Sequence, residues 1–483
     1  MPQNLAPFHT EYDEKKQKTT AKAAASLLLQ LIHTTGVYKA AQSLKTRLFR
    51  GFQDGDHVVA AIFLNTLGYS CCDDLEHLRK DSVLGTLHGK MKEHFSIASR
   101  TEEAFPSPTA FRKWLHDLGD SPKSLKKLQD LPAQVAAYAQ ERNPQKEATV
   151  DSDASDLPTT RGEALWNYKG ERGNETFNLY WAEHDIMLHS EYREGNVSPK
   201  TDPLGLLQRG LEKLPPGVET VSLRMDSAGY NMDLLRYCCE GRSPWGVIHF
   251  GISVPMYPSY RKEVRKLPEE AWQKLDDTSE WAEVNIVPSR FGYSKKDPEL
   301  RFLALRQKIE TPTTAEKGEA LQKTLDLEIE EREEAHPKVK KLHLTTFNGE
   351  IYKTFLVVTN KFEEPGDQVI RWQRARCGKS EEVHSVLKSD LAGGHVPTGN
   401  FEANAAWWYL SVLSFNIQRL LTHHLLPKGW GRVRQKRLLA TIYGTPATLT
   451  RHAKQMVLKI GGEIGRILQE AHWKLFRFHY KLE

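Results

Sequence analysis

The feature that most constrains this chain is a change of hydrophobic period near residue 147. Before it, apolar residues recur at helical spacing. After it they alternate, and the first alternating run ends in acids: Thr149-Val150-Asp151-Ser152-Asp153-Ala154-Ser155. Period two with β-branched and aromatic residues marks a strand, and side chains two apart share a face. Asp151 and Asp153 therefore lie on one face at a strand end. A second run, Leu223-Arg224-Met225-Asp226-Ser227-Ala228-Gly229-Tyr230, also closes on an acid, and Gly229 then turns the chain into a helix.

In the first 145 residues, 24–32, 57–67, 73–79, 83–91, 110–118 and 125–141 read as helices. Gly68 supplies a C-cap, and Ser107-Pro108-Thr109 a helix start. Scattered basic residues (Lys39, Lys45, Arg47, Arg50, Lys90, Lys92, Arg112, Lys113) leave two readings. One is a helical DNA-binding domain; the other is a plain bundle with solvated cations. From 147 the expected order is three strands (148–153, 174–184, 186–193), a helix (204–214), a strand (220–225), a helix (231–239) and a strand (245–253). That is an α/β layout with a hairpin-rich edge. Residues 254–360 interrupt it with strand pieces at 281–287 and 291–293, a charged tract at 316–341, and a hairpin (343–346, 351–359) around Asn348-Gly349. Helices return with one carrying Glu381 and Lys388, and another over 401–421. Within 401–483 stand 13 Lys and Arg against four acids, a net +9 that exceeds the +5 of the whole chain. Basic charge gathered in this way permits a nucleic-acid partner.

Several classes fall away. At about 150 residues per domain, 483 residues suggest three units or one large domain with insertions. The first 17 residues are polar and show no signal peptide, and the apolar stretch at 403–417 is too short and too polar to span a bilayer. The five cysteines at 71, 72, 238, 239 and 377 make neither a disulfide framework nor a paired zinc motif, so a reducing compartment, cytosol or nucleoid, is expected. There is no Walker A loop, GxGxxG, HExxH or GxSxG.

Three places put an acid where a metal could sit: Asp151 or Asp153, Asp226, and Glu381. Lys388 lies seven residues after Glu381, two helical turns on, and so on the same face. Cutting a phosphodiester requires an activated water or hydroxyl and stabilised charge on the leaving oxygen. Two divalent ions roughly 3.5–4 Å apart supply both. Mg²⁺ prefers oxygen ligands, and a nearby Lys can meet a phosphate as a point charge. Singly, acids at strand ends are more often helix caps or turn formers. The combination carries the argument.

With these motifs the chain resembles DDE transposases with an RNase H-like core, most closely the 1380 family of bacterial insertion sequences. Asp151-Ser152-Asp153-Ala154-Ser155 resembles the first-acid strand, and Leu223 to Tyr230 the second-acid motif. Arg193-Glu194-Gly195-Asn196 matches the family's R-x-G-N. Gly378-Lys379-Ser380-Glu381 with Lys388 resembles the third-acid signature, and Phe401-Glu402-Ala403-Asn404 the F-x-A-N that follows. Gly68-Tyr69, Asp73-Asp74-Leu75, Leu78-Arg79, Asp81 and Ser107-Pro108-Thr109 with Arg112 also fit. The third motif departs from the family: Cys377 stands where it has Arg, with Arg376 one residue earlier, and Trp372 is the nearest aromatic to its Tyr.

The resemblance implies an α/β fold: an RNase H-like mixed sheet with helices on both faces, interrupted by a β-containing insertion. The domains expected are 1–145 (N-terminal helical, DNA-binding), 146–253 (first part of the core), 254–360 (β-rich insertion), 361–425 (second part of the core) and 426–483 (basic, helical). It implies cut-and-paste transposition with Mg²⁺, or Mn²⁺ in its place, on inverted terminal repeats and target DNA, by a homodimer assembled on that DNA. A bacterial cytoplasmic, nucleoid-associated protein with no membrane partner is expected. Asp153, Asp226 and Glu381 would be the catalytic, metal-holding acids. Asp151 and Glu382 remain rivals of their neighbours; Ser155, two residues after Asp153, favours Asp153. Arg374, Arg376, Lys379 and Lys388 would touch phosphate, and Arg112 and Lys113 would bind end DNA. Trp272 and Trp281 would either receive a flipped base or form the core of the insertion. A nuclease without strand transfer uses the same metal site. A domesticated DNA-binding protein with a dead site is disfavoured by the presence of all three acids, and a small-molecule hydrolase by the basic tail.

Overall fold

The computed structural model describes residues 18–44, 46, 51–159, 161, 164–167, 169–288, 292–294, 296–308, 344–347, 350–452 and 455–480. Its strands are β1 (Thr19–Thr20), β2 (Glu147–Pro158), β3 (Gly173–Trp181), β4 (Ile186–Glu194), β5 (Thr220–Met225), β6 (His249–Val254), β7 (Gln273–Lys274), β8 (Ser279–Val284), β9 (Arg301–Lys308), β10 (Leu344–Phe347), β11 (Glu350–Thr359), β12 (Ala447–His452) and β13 (Gln455–Ile460).

The main sheet runs β4-β3-β2-β5-β6-β11-β9-β8-β7, with β10 on β11. β2, β3 and β4 form an antiparallel meander. β5 is parallel to β2, and β6 is parallel to β5. Parallel neighbours need crossover connections, and helices Pro203–Leu211 and Met232–Cys239 provide them. Every residue of β3 is buried, so both of its faces are covered.

The helix Phe401–Leu420 lies at the centre of the molecule. All its residues from Ala403 to Leu420 are buried, as expected of a helix that is apolar all round. It packs on β4 and on helices Asp54–Thr66, Pro108–Gly119, Pro122–Asp130 and Pro132–Arg142. Among its polar side chains, Asn416 accepts from the Met187 amide (2.8 Å) and donates to the Met187 carbonyl (2.7 Å), which clamps the helix to β4. Gly119 permits the close crossing, since a Cβ there would stand 2.9 Å from the Ala403 nitrogen. Trp407 and Trp408 are fully buried, and truncating either to Ala would cost about 3–5 kcal/mol. One apolar core consequently runs from Ala23 to Leu475.

The structure differs from the sequence expectation in three places. The expected helix 125–141 is two helices, Pro122–Asp130 and Pro132–Arg142, because Pro132 has no N–H to donate to the preceding turn. The strands of 254–360 do not form a sheet of their own: β11 pairs with β6, and β9, β8 and β7 follow. The C-terminal region, expected to be helical, contains the hairpin β12–β13, and β12 pairs with β1 at the other end of the chain. Alternating Thr and apolar residues in Ala447–His452 favour that strand. β10 and β11 pair up to Phe347 and Glu350 as a hairpin would. The residues 348–349 of its turn, the tract 316–341, residues 1–17 and 291, and Lys45, Arg47 and Arg50 lie outside the described residues. Among the described residues, no helix is long and apolar enough to cross a membrane.

Candidate active site

β2 and β5 bring the first two acids together. They pair in parallel register, the last pair being Ser152 with Met225. Asp153 and Asp226 are the next residue on each strand. Asp226 leaves β5 as the cap of a short 3₁₀ turn, its carboxylate accepting from the Ala228 amide at 2.9 Å. Asp153 accepts from the Ala154 amide at 3.0 Å. Burial pushes the Asp153 carboxyl up to about 6; Arg376 opposes this, and the charges of Asp226 and Glu381 add to it.

Glu381 sits in the first turn of helix Lys379–Ser385, and its carboxylate accepts from the Gly378 amide at 2.6 Å. Gly378 has φ +75, a conformation glycine adopts without strain. Glu382 belongs to another network, 3.3 Å from Arg419 and 3.6 Å from Lys379. Asp151 is likewise engaged elsewhere. It is buried and held by Arg224 through Nε (2.6 Å) and Nη2 (2.8 Å), so the guanidinium neutralises it. Asp153, with Arg376 Nη2 3.8 Å away, and Asp226 have no such two-point partner among the described residues. They are hard oxygen donors with surplus negative charge, which suits a cation such as Mg²⁺. Among the described residues, no three His, Cys, Asp or Glu side chains stand closely enough together to hold a metal ion, because Glu381 here caps its own helix.

Residues 26–296 match the family described as Transposase DDE domain group 1, more than half of the chain. The chain belongs to this family of DDE transposases. The match includes Asp153 and Asp226 and stops short of Glu381. This transposase is therefore an enzyme acting on DNA, of a family that uses divalent metal ions. Among solved structures it is similar to a piggyBac transposase synaptic complex with hairpin DNA, at 12% identity over 86% of this chain and 78% of that one, with a TM-score of 0.44. No curated protein matches it.

The transposase's cations divide by what holds them. Arg376 is buried, its Nη2 3.8 Å from Asp153 and its Nε without a partner. Lys388 donates to the Asp156 carbonyl of β2 at 2.8 Å, and burial lowers its pKa. The two-turn spacing from Glu381 is modified by a π-helical turn, Val386–Asp390, a distortion frequent at functional sites. Lys379 is tied to Asp185 at 3.0 Å. Arg374 lies 5.9 Å from the Phe355 ring centroid. Arg112 pairs with Asp73 at 2.6 Å, and Lys113 is exposed. Lys92, one of the basic residues of the N-terminal helices, is buried against Asp56 (3.1 Å) rather than solvated.

Trp272 and Trp281 are both buried. The Arg306 guanidinium covers the Trp272 ring at 4.4 Å, and Trp281 packs with Leu303, Leu305 and Val369. Of the two roles open to them, their burial favours core. A cleft of about 270 Å³ beside Gly378 and Glu382 is lined on its other side by Arg432 to Gln435, where Arg432 and Arg434 are both exposed.

Two residues near the acids escape sequence reasoning. His384 lies 4.0 Å from Asp153 through Nδ1; its only signal is its place one turn after Glu381. Glu175, opposite Asp156 on β3, is buried with neither carboxylate oxygen hydrogen-bonded. Burial pushes its pKa up to about 7, against the pull of Lys169 and Lys388. Its signal is an acid inside an apolar strand.

Proposed function

We propose that the chain is a cut-and-paste transposase of the 1380 family of insertion sequences, with an RNase H-like core built on β2 to β6. It binds the inverted terminal repeats and cuts at the element ends. Water adds to the scissile phosphorus, and the 3′ oxygen leaves as a hydroxyl. That 3′-OH then attacks a target phosphodiester, forming one bond as the target's own 3′ oxygen leaves. Asp153, Asp226 and Glu381 would hold Mg²⁺ or Mn²⁺, Glu381 after releasing the Gly378 amide. A bound divalent ion supplies charge for the leaving oxygen and lowers the pKa of the attacking water.

The chain's own cations take the phosphate. Arg376, with Nη2 3.8 Å from Asp153 and a buried Nε that has no partner, would turn its guanidinium toward a phosphate oxygen. Lys388 stands over the first-acid strand. Arg432, Arg434, Lys436 and Arg437 extend the basic surface past the third-acid helix and would contact backbone phosphates of the end DNA. A homodimer assembled on DNA would hold the two ends.

The observation that supports this reading best is the register of β2 and β5, which sets Asp153, within β2, beside Asp226 at the end of β5. The test is cleavage of a labelled duplex carrying the element's own end, with and without Mg²⁺, for wild type and Asp226→Ala. Nicking by wild type with Mg²⁺ only, lost in a variant that still binds DNA, supports the site. Joining of the product to a plasmid separates a transposase from a nuclease. Equal binding with no cutting by either protein under any divalent ion overturns the reading.

A further inference from the structure

A buried chain of hydrogen bonds connects the central helix to the first acid. Trp408 Nε1 donates to Ser190 Oγ at 2.7 Å. Ser190 Oγ donates to Asn178 Oδ1 at 2.6 Å. Asn178 Nδ2 donates to Thr176 Oγ1 at 3.1 Å and meets His384 Nε2 at 3.3 Å. Thr176 in turn donates to the Ser155 carbonyl of β2 at 3.2 Å. On the far side of the imidazole, His384 Nδ1 faces Asp153 Oδ2 at 4.0 Å.

With the Asn178 amide as found, Oδ1 toward Ser190 and Nδ2 toward Thr176 and His384, the bond directions agree along the whole chain. An indole N–H can only donate, so Ser190 must accept from Trp408. The single hydroxyl proton of Ser190 is then free for the Asn178 oxygen. That orients the amide and turns its NH₂ group toward both Thr176 and His384. An NH₂ group cannot accept, so His384 Nε2 must carry the lone pair. In a neutral ring the proton then resides on Nδ1, the nitrogen that faces Asp153. A buried ring that accepts at Nε2 from the Asn178 amide is neutral.

We infer that His384 is a positioning residue for Asp153: Trp408, Ser190 and Asn178 lock its Nδ1–H tautomer, and that N–H aims at the Asp153 carboxylate. This inference rests on the reading of Asp153 as a metal-holding acid. A carboxylate that binds a cation needs its orientation held by donors behind it, and loss of such a partner weakens metal affinity by about 10–100-fold. Asn178 sits directly opposite Asp153 in the β2–β3 register and Ser190 opposite Asn178 in the β3–β4 register. Three strands and two helices thus contribute to one proton position.

The experiment has two arms on the full chain. In the first, ¹⁵N-labelled histidine is observed by NMR without metal, and the His384 signals are assigned by their loss in His384→Asn. An Nδ1–H tautomer in wild type that becomes mixed in Ser190→Ala is the expected result. An Nε2–H tautomer, or one unmoved in Ser190→Ala, overturns the inference. In the second arm Mn²⁺ binding is titrated directly. His384→Leu is expected to weaken it by about 10–100-fold, and His384→Asn, which keeps an N–H close to the Nδ1 position, to recover most of it. Equal binding by His384→Leu and wild type, with Asp226→Ala binding no ion, overturns the inference and leaves the metal site standing. Binding by Asp153→Asn and Asp226→Ala equal to wild type overturns the metal site itself. The tautomer arm reads the wild-type protein, so it decides even where His384→Leu fails to fold.

Discussion

Arg224 grips Asp151 across neighbouring parallel strands, Nε to Oδ1 at 2.6 Å and Nη2 to Oδ2 at 2.8 Å. The pair separates two acids that strand alternation leaves on the same face. Asp151 is neutralised by a two-point grip, whereas Asp153, two residues on, stands beside Asp226 with Arg376 no nearer than 3.8 Å. Arg224 also donates to the Trp372 carbonyl at 3.0 Å, which anchors helix Gly366–Arg374 ahead of the third acid.

Removing one partner of that buried pair leaves a charge with nothing to compensate it. Arg224→Met is expected to lower unfolding stability by about 3–5 kcal/mol, read from denaturant titration. The double variant Arg224→Met with Asp151→Leu should recover much of the loss. A double variant no better than the single one contradicts the ion-pair account.

Asp153 sets a pH dependence of definite sign. Its folded pKa, about 6, lies above the ordinary 3.8. Between these values the folded state binds more protons than the unfolded one. The group's contribution to stability is therefore complete below about pH 4 and is lost as pH rises through 6. Asp153→Asn should accordingly stabilise the metal-free protein near neutral pH, by on the order of 1–3 kcal/mol. Thermal unfolding across pH measures this, and a destabilised Asn variant at neutral pH refutes it.

Glu381 and Glu382 separate by substitution. Glu381→Gln is expected to reduce single-turnover cutting by at least about 1,000-fold, the effect of several kcal/mol at the transition state. Glu382→Gln, which breaks an ion pair with Arg419 at 3.3 Å, should alter cutting by less than about tenfold. The reverse order would move the third acid to Glu382.

The C-terminal cations are expected to act through phosphates. Replacing Arg432, Arg434, Lys436 and Arg437 by Gln should flatten the plot of log affinity against log salt by about 0.9 for each phosphate no longer neutralised, with little change in preference among sequences. An unchanged slope would place the DNA elsewhere.

Much of the site is legible along the chain because its signals are local. A strand that carries acids and a glycine that turns strand into helix are encoded within a few residues, and they point to Asp153 and Asp226, although β2 runs on to Pro158 where a strand ending at 153 is expected. Ser107 caps helix Pro108–Gly119 by accepting from the Ala110 amide at 3.2 Å, as its sequence motif predicts. The break at Pro132 is also local, but the longer helical period on either side masks it.

What cannot be read is set by pairing between distant residues. Nothing near residue 19 announces that Thr19–Thr20 pairs with Ala447–His452, and nothing in 254–360 says that its strands lengthen the core sheet. Trp272 and Trp281 are aromatic at either fate, and only their burial distinguishes core from binding face.

The sequence by itself determined the α/β alternation, the candidate acids on two strands and the basic balance of the C-terminal end, because period, caps and charge are written along the chain. Only the tertiary structure decided which acids are held by a hydrogen-bonded cation. That depends on Arg224 meeting Asp151, Arg419 meeting Glu382 and His384 facing Asp153. Those pairings follow from strand register and helix packing over tens to hundreds of residues, and no local pattern encodes them.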